Sequence, residues 1–114
     1  MSEFVFLYRI PQTGEPQSPR VMQERMKLWR AWMQGLEEKG RLVSAGQPLA
    51  NAGAVVSDSQ GNCNDGPYAE TKDIIMGFSI VSARDLDEAV RLSLGCPILA
   101  SGGGVVEVRP VLQM

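Results

Sequence analysis

Asp65, Tyr68 and Glu70 share one short stretch, Asp65-Gly66-Pro67-Tyr68-Ala69-Glu70-Thr71-Lys72. Two carboxylates and a phenol are groups that general acid–base chemistry uses, provided burial raises one carboxylate toward neutral pH. Asp-Gly-Pro favours a tight turn. An extended segment after it sets Tyr68, Glu70 and Lys72 at period two on one side. The stretch reads either as a turn that fixes strand register or as a polar cluster at the mouth of a cleft. The chain has no histidine. That excludes a histidine general base, serine–histidine and cysteine–histidine nucleophiles, and histidine-ligated zinc. Cys63 and Cys96 lack Cys-x-x-Cys spacing. They read as free thiols, and no metal or cofactor is expected. With no base to activate it, Cys96 reads as a small packed hydrophobe just before Pro97.

Other patterns carry less. Gly102-Gly103-Gly104 follows a helical stretch and precedes an extended one, the reverse of a phosphate-binding loop. Gly61 and Gly66 are followed by Pro67-Tyr68 instead of the lysine a nucleotide loop needs. Asp58 to Asn64 has alternate oxygen ligands, but Cys63 stands where a calcium loop turns on glycine. It reads as a polar hairpin. Arg20, Arg25, Lys27 and Arg30 read as the solvated face of a helix.

The elements that position these groups follow from pattern. Glu3 to Arg9 is aromatic and β-branched, a strand. Ser18-Pro19 starts a helix that runs to Lys39 and stops at Gly40. Its apolar stripe is Met22, Met26, Trp29, Met33 and Leu36, widened by Val21, Leu28 and Trp32. Leu42 to Gly46 and Ala54 to Asp58 are short strands, and Asn62 to Gly66 returns as an irregular or edge segment. Asp73 to Val81 is the strongest strand. Ser82 to Leu94 reads as a helix with Asp85 and Glu88 in capping-box spacing. Ile98 to Gly104 is a loop, and Val105 to Leu112 is the last strand. The order β-α-β-β-β-α-β predicts an α+β ferredoxin-like sandwich: a mainly antiparallel sheet with two helices on one face.

At 114 residues the chain is one domain, 1–114. A net charge of −2 predicts no nucleic-acid partner. No apolar run approaches membrane-spanning length, and the N-terminus lacks a signal-peptide pattern, so the expected compartment is the cytoplasm. Period two places Phe4, Phe6 and Tyr8 on one face of the first strand and Val5 and Leu7 on the other. It places Ile74, Met76, Phe78 and Ile80 opposite Ile75, Gly77, Ser79 and Val81 in the later strand. Both faces are apolar, and two helices cover one. The other calls for a second copy of the sheet, and thus a homodimer, or for the 47–66 segment folded over it.

Asp65-Gly66-Pro67-Tyr68-Ala69-Glu70-Thr71-Lys72, Gly77-Phe78, Asp85-Leu86-Asp87-Glu88-Ala89, Cys96-Pro97 and Val106-Glu107-Val108-Arg109-Pro110 together resemble the DGPF-domain branch of the YCII-related family. Tyr68 replaces the phenylalanine of the namesake tetrapeptide. The resemblance implies a ferredoxin-like subunit in a dimeric α/β barrel. In YCII-like relatives a histidine–aspartate pair is proposed as the active site. Those positions fall at Trp29 and Cys96, so the pair is absent. Some members of the branch are encoded near extracytoplasmic-function sigma factors.

Three functions follow as expectations. The first is a dimer binding a small molecule in a cleft between sheet and helices, with Tyr8, Trp29, Asp65, Tyr68, Glu70 and Arg109 as candidate contacts. Arg109 suits a carboxylate ligand or a strand salt bridge to Glu107 or Glu70. The second is an isomerase- or lyase-type enzyme acting on a small cyclic acid, with Asp65 or Glu70 as base and Tyr68 as acid; it requires a buried carboxylate. The third is a regulatory protein partnered with a sigma factor, which rests on the resemblance alone.

Overall fold

The computed structural model describes residues 1–11, 18–66, 73–100 and 103–114. The strands are β1 (Ser2–Pro11), β2 (Leu42–Ser44), β3 (Gly53–Val56), β4 (Cys63–Gly66), β5 (Asp73–Ala83) and β6 (Val105–Pro110). The helices are α1 (Pro19–Glu38) and α2 (Leu86–Ser93), and a 3-10 turn spans Pro97–Ala100. Four strands form one antiparallel sheet in the order β2-β5-β1-β6, while β3 and β4 pair separately as a hairpin. This is the expected α+β ferredoxin-like arrangement.

Phe4, Phe6 and Tyr8 of β1 point to the helix layer, where Leu36, Trp29, Trp32 and Met33 of α1 meet Ala89 and Leu92 of α2. Val81 and Ala83 of β5 and Val106 and Val108 of β6 complete this core. Phe6 is fully buried, a burial that contributes on the order of 2–3 kcal/mol. Ser18 caps α1, its hydroxyl accepting from the Val21 N–H at 3.3 Å. Gly40 takes a positive φ of 71° just beyond the helix, the left-handed stop expected there. Among the described residues no helix is long and apolar enough to cross a membrane.

The structure corrects the sequence reading in five places. The strand β5 runs on to Ala83, so α2 begins at Leu86 instead of Ser82. Asp85 caps it by accepting from the Glu88 N–H at 2.8 Å. The Glu88 carboxylate then takes the Arg84 N–H at 3.1 Å, one residue before the cap. A β-bulge separates Tyr8↔Gly77 from Arg9↔Ile75, and Met76 is the extra residue. That bulge reverses the alternation. Ile74 is buried and pairs with Ile10 of the helix-facing set, where simple period two grouped it with Phe78 and Ile80. Asn62 to Gly66 contains a regular strand. The expected loop after Cys96 opens with the 3-10 turn. Finally, the α1 stripe reaches the core only from Trp29 onward; Met22, Met26 and Leu28 are exposed.

Among the described residues, neither helix covers the far face of the sheet. That face carries Val5 and Leu7 of β1, Phe78 and Ile80 of β5, and the exposed Ile75. The 47–66 segment does not lie over these residues. Pro48 forms a bridge to Gly77, and the Leu49 N–H donates to the Met76 carbonyl at 2.8 Å, so this segment extends the sheet edge. An ion-paired island interrupts the apolar surface. Arg9 reaches Asp73 at 2.8 Å and Glu107 at 2.7 Å.

Candidate functional site

Tyr8 is the centre of the polar and aromatic cluster between sheet and helices. Alternation along β1 aims it at α1, where its ring meets Trp29 edge-on at 4.7 Å and Trp32 at 6.1 Å. Trp29 and Trp32 are T-shaped to each other at 5.7 Å, and Trp32 stacks on Phe6 at 6.1 Å. The Trp32 indole N–H donates to the Leu92 carbonyl at 3.3 Å and so ties α1 to α2. Such aromatic pairs add roughly 0.5–1.5 kcal/mol each beyond area burial.

The Tyr8 hydroxyl donates to the Ser79 hydroxyl at 2.8 Å, and Ser79 donates onward to the Ala45 carbonyl at 2.7 Å. This chain of hydrogen bonds crosses the sheet from β1 through β5 to the segment after β2. It fixes the phenol hydrogen away from α1 and leaves an oxygen lone pair available as an acceptor. Burial pushes the Tyr8 phenol up, against a smaller opposing effect of the Ser79 bond. Cys96 is also buried and lies close enough to Tyr8 to contribute to that rise. Its own thiol is pushed up to about 11 by burial. Both groups are therefore neutral at pH 7.

Beside Cys96 a groove of about 670 Å³ opens between α1 and the 94–100 segment. Leu28, Trp32, Leu94, Pro97 and Leu99 line it. Its volume falls in the range of small-molecule sites. A second groove, of about 590 Å³, runs between α1 and α2 over Trp32 and Leu36, with Lys39, Arg41 and Arg91 on its rim. Glu88 lies in this groove, where it binds Arg41 and Arg84 at 2.7 Å each.

Of the residues singled out from sequence, the structure brings Tyr8 and Trp29 together. It also brings Cys96 to the same cluster. Arg109 is elsewhere. It pairs with Val5, whose side chain points away from the helices, and therefore stands on the far face. Among the described residues it approaches Glu107 at 3.9 Å. Asp65 is exposed on β4 in the separate hairpin, opposite Ala54. Tyr68 and Glu70 lie outside the described residues. Sequence reasoning did not select Ser79 or Trp32. The signal for Ser79 was the one hydroxyl on the Val81 face of β5. Cys63 and Cys96 are both free thiols, the first exposed and the second buried.

A solved structure similar to this chain is the 5-chloro-2-hydroxyhydroquinone dehydrochlorinase of Burkholderia phenoliruptrix AC1100, in complex with 2,5-dihydroxybenzoquinone. The match has a TM-score of 0.55 at 20% identity and covers 98% of this chain and 95% of that one, which establishes a shared fold. An uncharacterised protein of Rhizobium meliloti (strain 1021) is 30% identical over 101 residues, covering 86% of this chain and 78% of the relative. The model of the YCII-related domain matches residues 5–114. On that near-complete match, the chain belongs to the YCII-related domain family.

Proposed function

We propose that this protein is a homodimer, of the DGPF-like kind, that binds a small planar molecule between sheet and helices without the histidine–aspartate pair of its YCII-like relatives. The observation that carries the binding reading is the Tyr8–Trp29–Trp32–Cys96 cluster beside an apolar groove. The cluster offers the Trp32 ring face to the groove for stacking, with Cys96 beside it and Tyr8 buried behind them. Its polar groups are neutral at pH 7, which suits recognition better than proton transfer. The small quinone held by the dehydrochlorinase of the same fold supports a ring of that size as the ligand class. The carboxylate-base alternative needs a buried acid; Asp65 stands in solvent, and Glu70 lies outside the described residues. The dimer is supported by the far sheet face, where the described residues of this chain leave Val5, Leu7, Phe78 and Ile80 only half-buried.

The chain has two tryptophans, and both belong to the cluster. Intrinsic tryptophan fluorescence therefore reads this cluster and, through Trp32, the two grooves beside it. Titration with hydroquinones, benzoquinones and small cyclic acids is the test. The proposal expects saturable quenching by at least one planar ring compound, weakened by Trp29→Ala. Quenching that stays linear and collisional for all of them contradicts it.

A further inference from the structure

The β3–β4 hairpin receives little support from its own chain. Its strand residues are exposed except for the half-buried Val55 and Gly66, and Val56 is 66% exposed. A two-stranded hairpin alone is marginally stable in water. The radius of gyration is 15.5 Å, against about 13 Å for a compact chain of this length. The molecule measures 43 × 43 × 19 Å. Its thinnest dimension matches one sheet plus one helix layer. The hairpin therefore extends sideways and covers neither face of the sheet.

We propose that this hairpin is an arm that seats on a second copy of the chain and sets Asp65 against Arg109 of that copy. The inference rests on the sheet-face dimer above and adds to it a carboxylate supplied from the other subunit. Charge points to this pairing. Residues 53–66 contain Asp58 and Asp65 and no cation. The Asp58 carboxylate is used within its own turn, accepting from the Gln60 N–H, the Asn62 N–H and the Asn62 amide. The Asp65 side chain has no ion pair or hydrogen bond among the described residues. On the far face, Arg9 holds Asp73 and Glu107 at short distance. Arg109 approaches Glu107 only to 3.9 Å, and its side chain is 67% exposed. Its guanidinium is the cation on that face left without a short partner among the described residues.

Symmetry and reach allow the contact. Two sheets stacked far face to far face about a two-fold axis along the strands place the β2 edge of one copy over the β6 edge of the other. The arm departs from the β2 side after Leu49, which is anchored to Met76. From Leu49 to Ala54, which pairs with Asp65, the chain spans up to about 17 Å. Arg109 pairs with Val5, whereas Met76 lies level with the Tyr8–Arg9 bulge. The offset along the strands is therefore about 12 Å, and the sheets are about 10 Å apart. A direct path of about 16 Å is within reach. Asp65 and Arg109, which one chain holds on separate sheets, then form one site across the dimer.

Cys63 supplies the probe. Pairing of Val56 with Cys63 and Ala54 with Asp65 puts Cys63 and Asp65 on the same hairpin face. A chain carrying Cys63→Ser and Arg109→Cys is co-refolded with the unaltered chain and treated with a short bismaleimide. The expected product is a covalent heterodimer, with mass spectrometry locating the link between Cys63 and the introduced thiol. It disappears when the second chain carries Cys63→Ser alone. Native mass spectrometry of the same mixture separates the two readings. Dimers without the covalent product overturn the arm and leave the sheet-face dimer standing. Monomers overturn both. As an independent readout, Asp65→Lys and Arg109→Glu each break both symmetry-related pairs and weaken dimerisation by up to about thirtyfold, and the two together restore it. Additive losses in the double variant contradict the pairing.

Discussion

Replacing Ser79 by alanine should cost more stability than removing the Tyr8 hydroxyl, although Tyr8 loses the larger chemical group's only polar atom. Ser79 is fully buried and Tyr8 is 5% exposed. In Tyr8→Phe the core loses one hydrogen bond, but Ser79 still donates to the Ala45 carbonyl. The cost is one net buried bond, about 1 kcal/mol. In Ser79→Ala the Tyr8 hydroxyl remains in the core without its acceptor, and the Ala45 carbonyl loses its donor. An orphaned buried hydroxyl raises the cost to about 2–3 kcal/mol. With a urea m-value of about 1.5 kcal/mol/M, the midpoint falls by about 0.7 M for Tyr8→Phe and about 1.5 M for Ser79→Ala. The double variant removes both polar partners and is no less stable than Ser79→Ala. Equilibrium urea unfolding followed by far-ultraviolet circular dichroism at pH 7 checks all three. Equal losses for the two single variants, or simple additivity in the double, would refute the relay.

Glu88→Gln destabilises the protein at neutral pH and flattens the acid limb of its stability. The Arg84 N–H foremost, with the Arg84 and Arg41 guanidiniums, holds the Glu88 carboxyl below the usual carboxylate range. A depressed folded pKa contributes stability above the unfolded value of about 4.3, and that contribution is lost as pH falls through the folded pKa; urea midpoints from pH 7 to 3 read the difference between the two proteins. Iodoacetamide at pH 8 modifies Cys63 in the native protein and Cys96 only after unfolding, because burial keeps the Cys96 thiol near 11. One adduct before denaturation and two after it is the expected mass pattern. Gly46→Ala costs at least about 2 kcal/mol, since φ is 69° and a Cβ would run into the Phe78 carbonyl; thermal melting measures it.

Local signals recovered the layout well. The Ser18-Pro19 start, the Gly40 stop and the Asp85 cap are short-range chemistry, and each stands where its side chain dictates. The alternation in β1 correctly separated Phe4, Phe6 and Tyr8 from Val5 and Leu7. What failed was non-local. The Met76 bulge depends on how β5 pairs with β1, and no pattern within β5 alone reveals it. The exposed Met22 and Met26 continue the same stripe as Trp29, so periodicity cannot show where the sheet beneath them ends. The site was legible in part for the same reason. Tyr8 and Trp29 face each other because strand and helix faces can both be read from spacing. Arg109 was one residue of alternation away from the helix side, and Asp65 sits on a hairpin whose separation from the main sheet is a tertiary fact. Ser79 acquires meaning only through partners far away in sequence, Tyr8 and Ala45.

The central claim is a dimer with a ring-binding cluster, and native mass spectrometry of gently purified protein tests it most directly. The account predicts a species at twice the 12.4 kDa chain mass that takes up a small planar ring compound with a matching mass increase. A species at the single-chain mass that takes up none of the ring compounds would contradict the account.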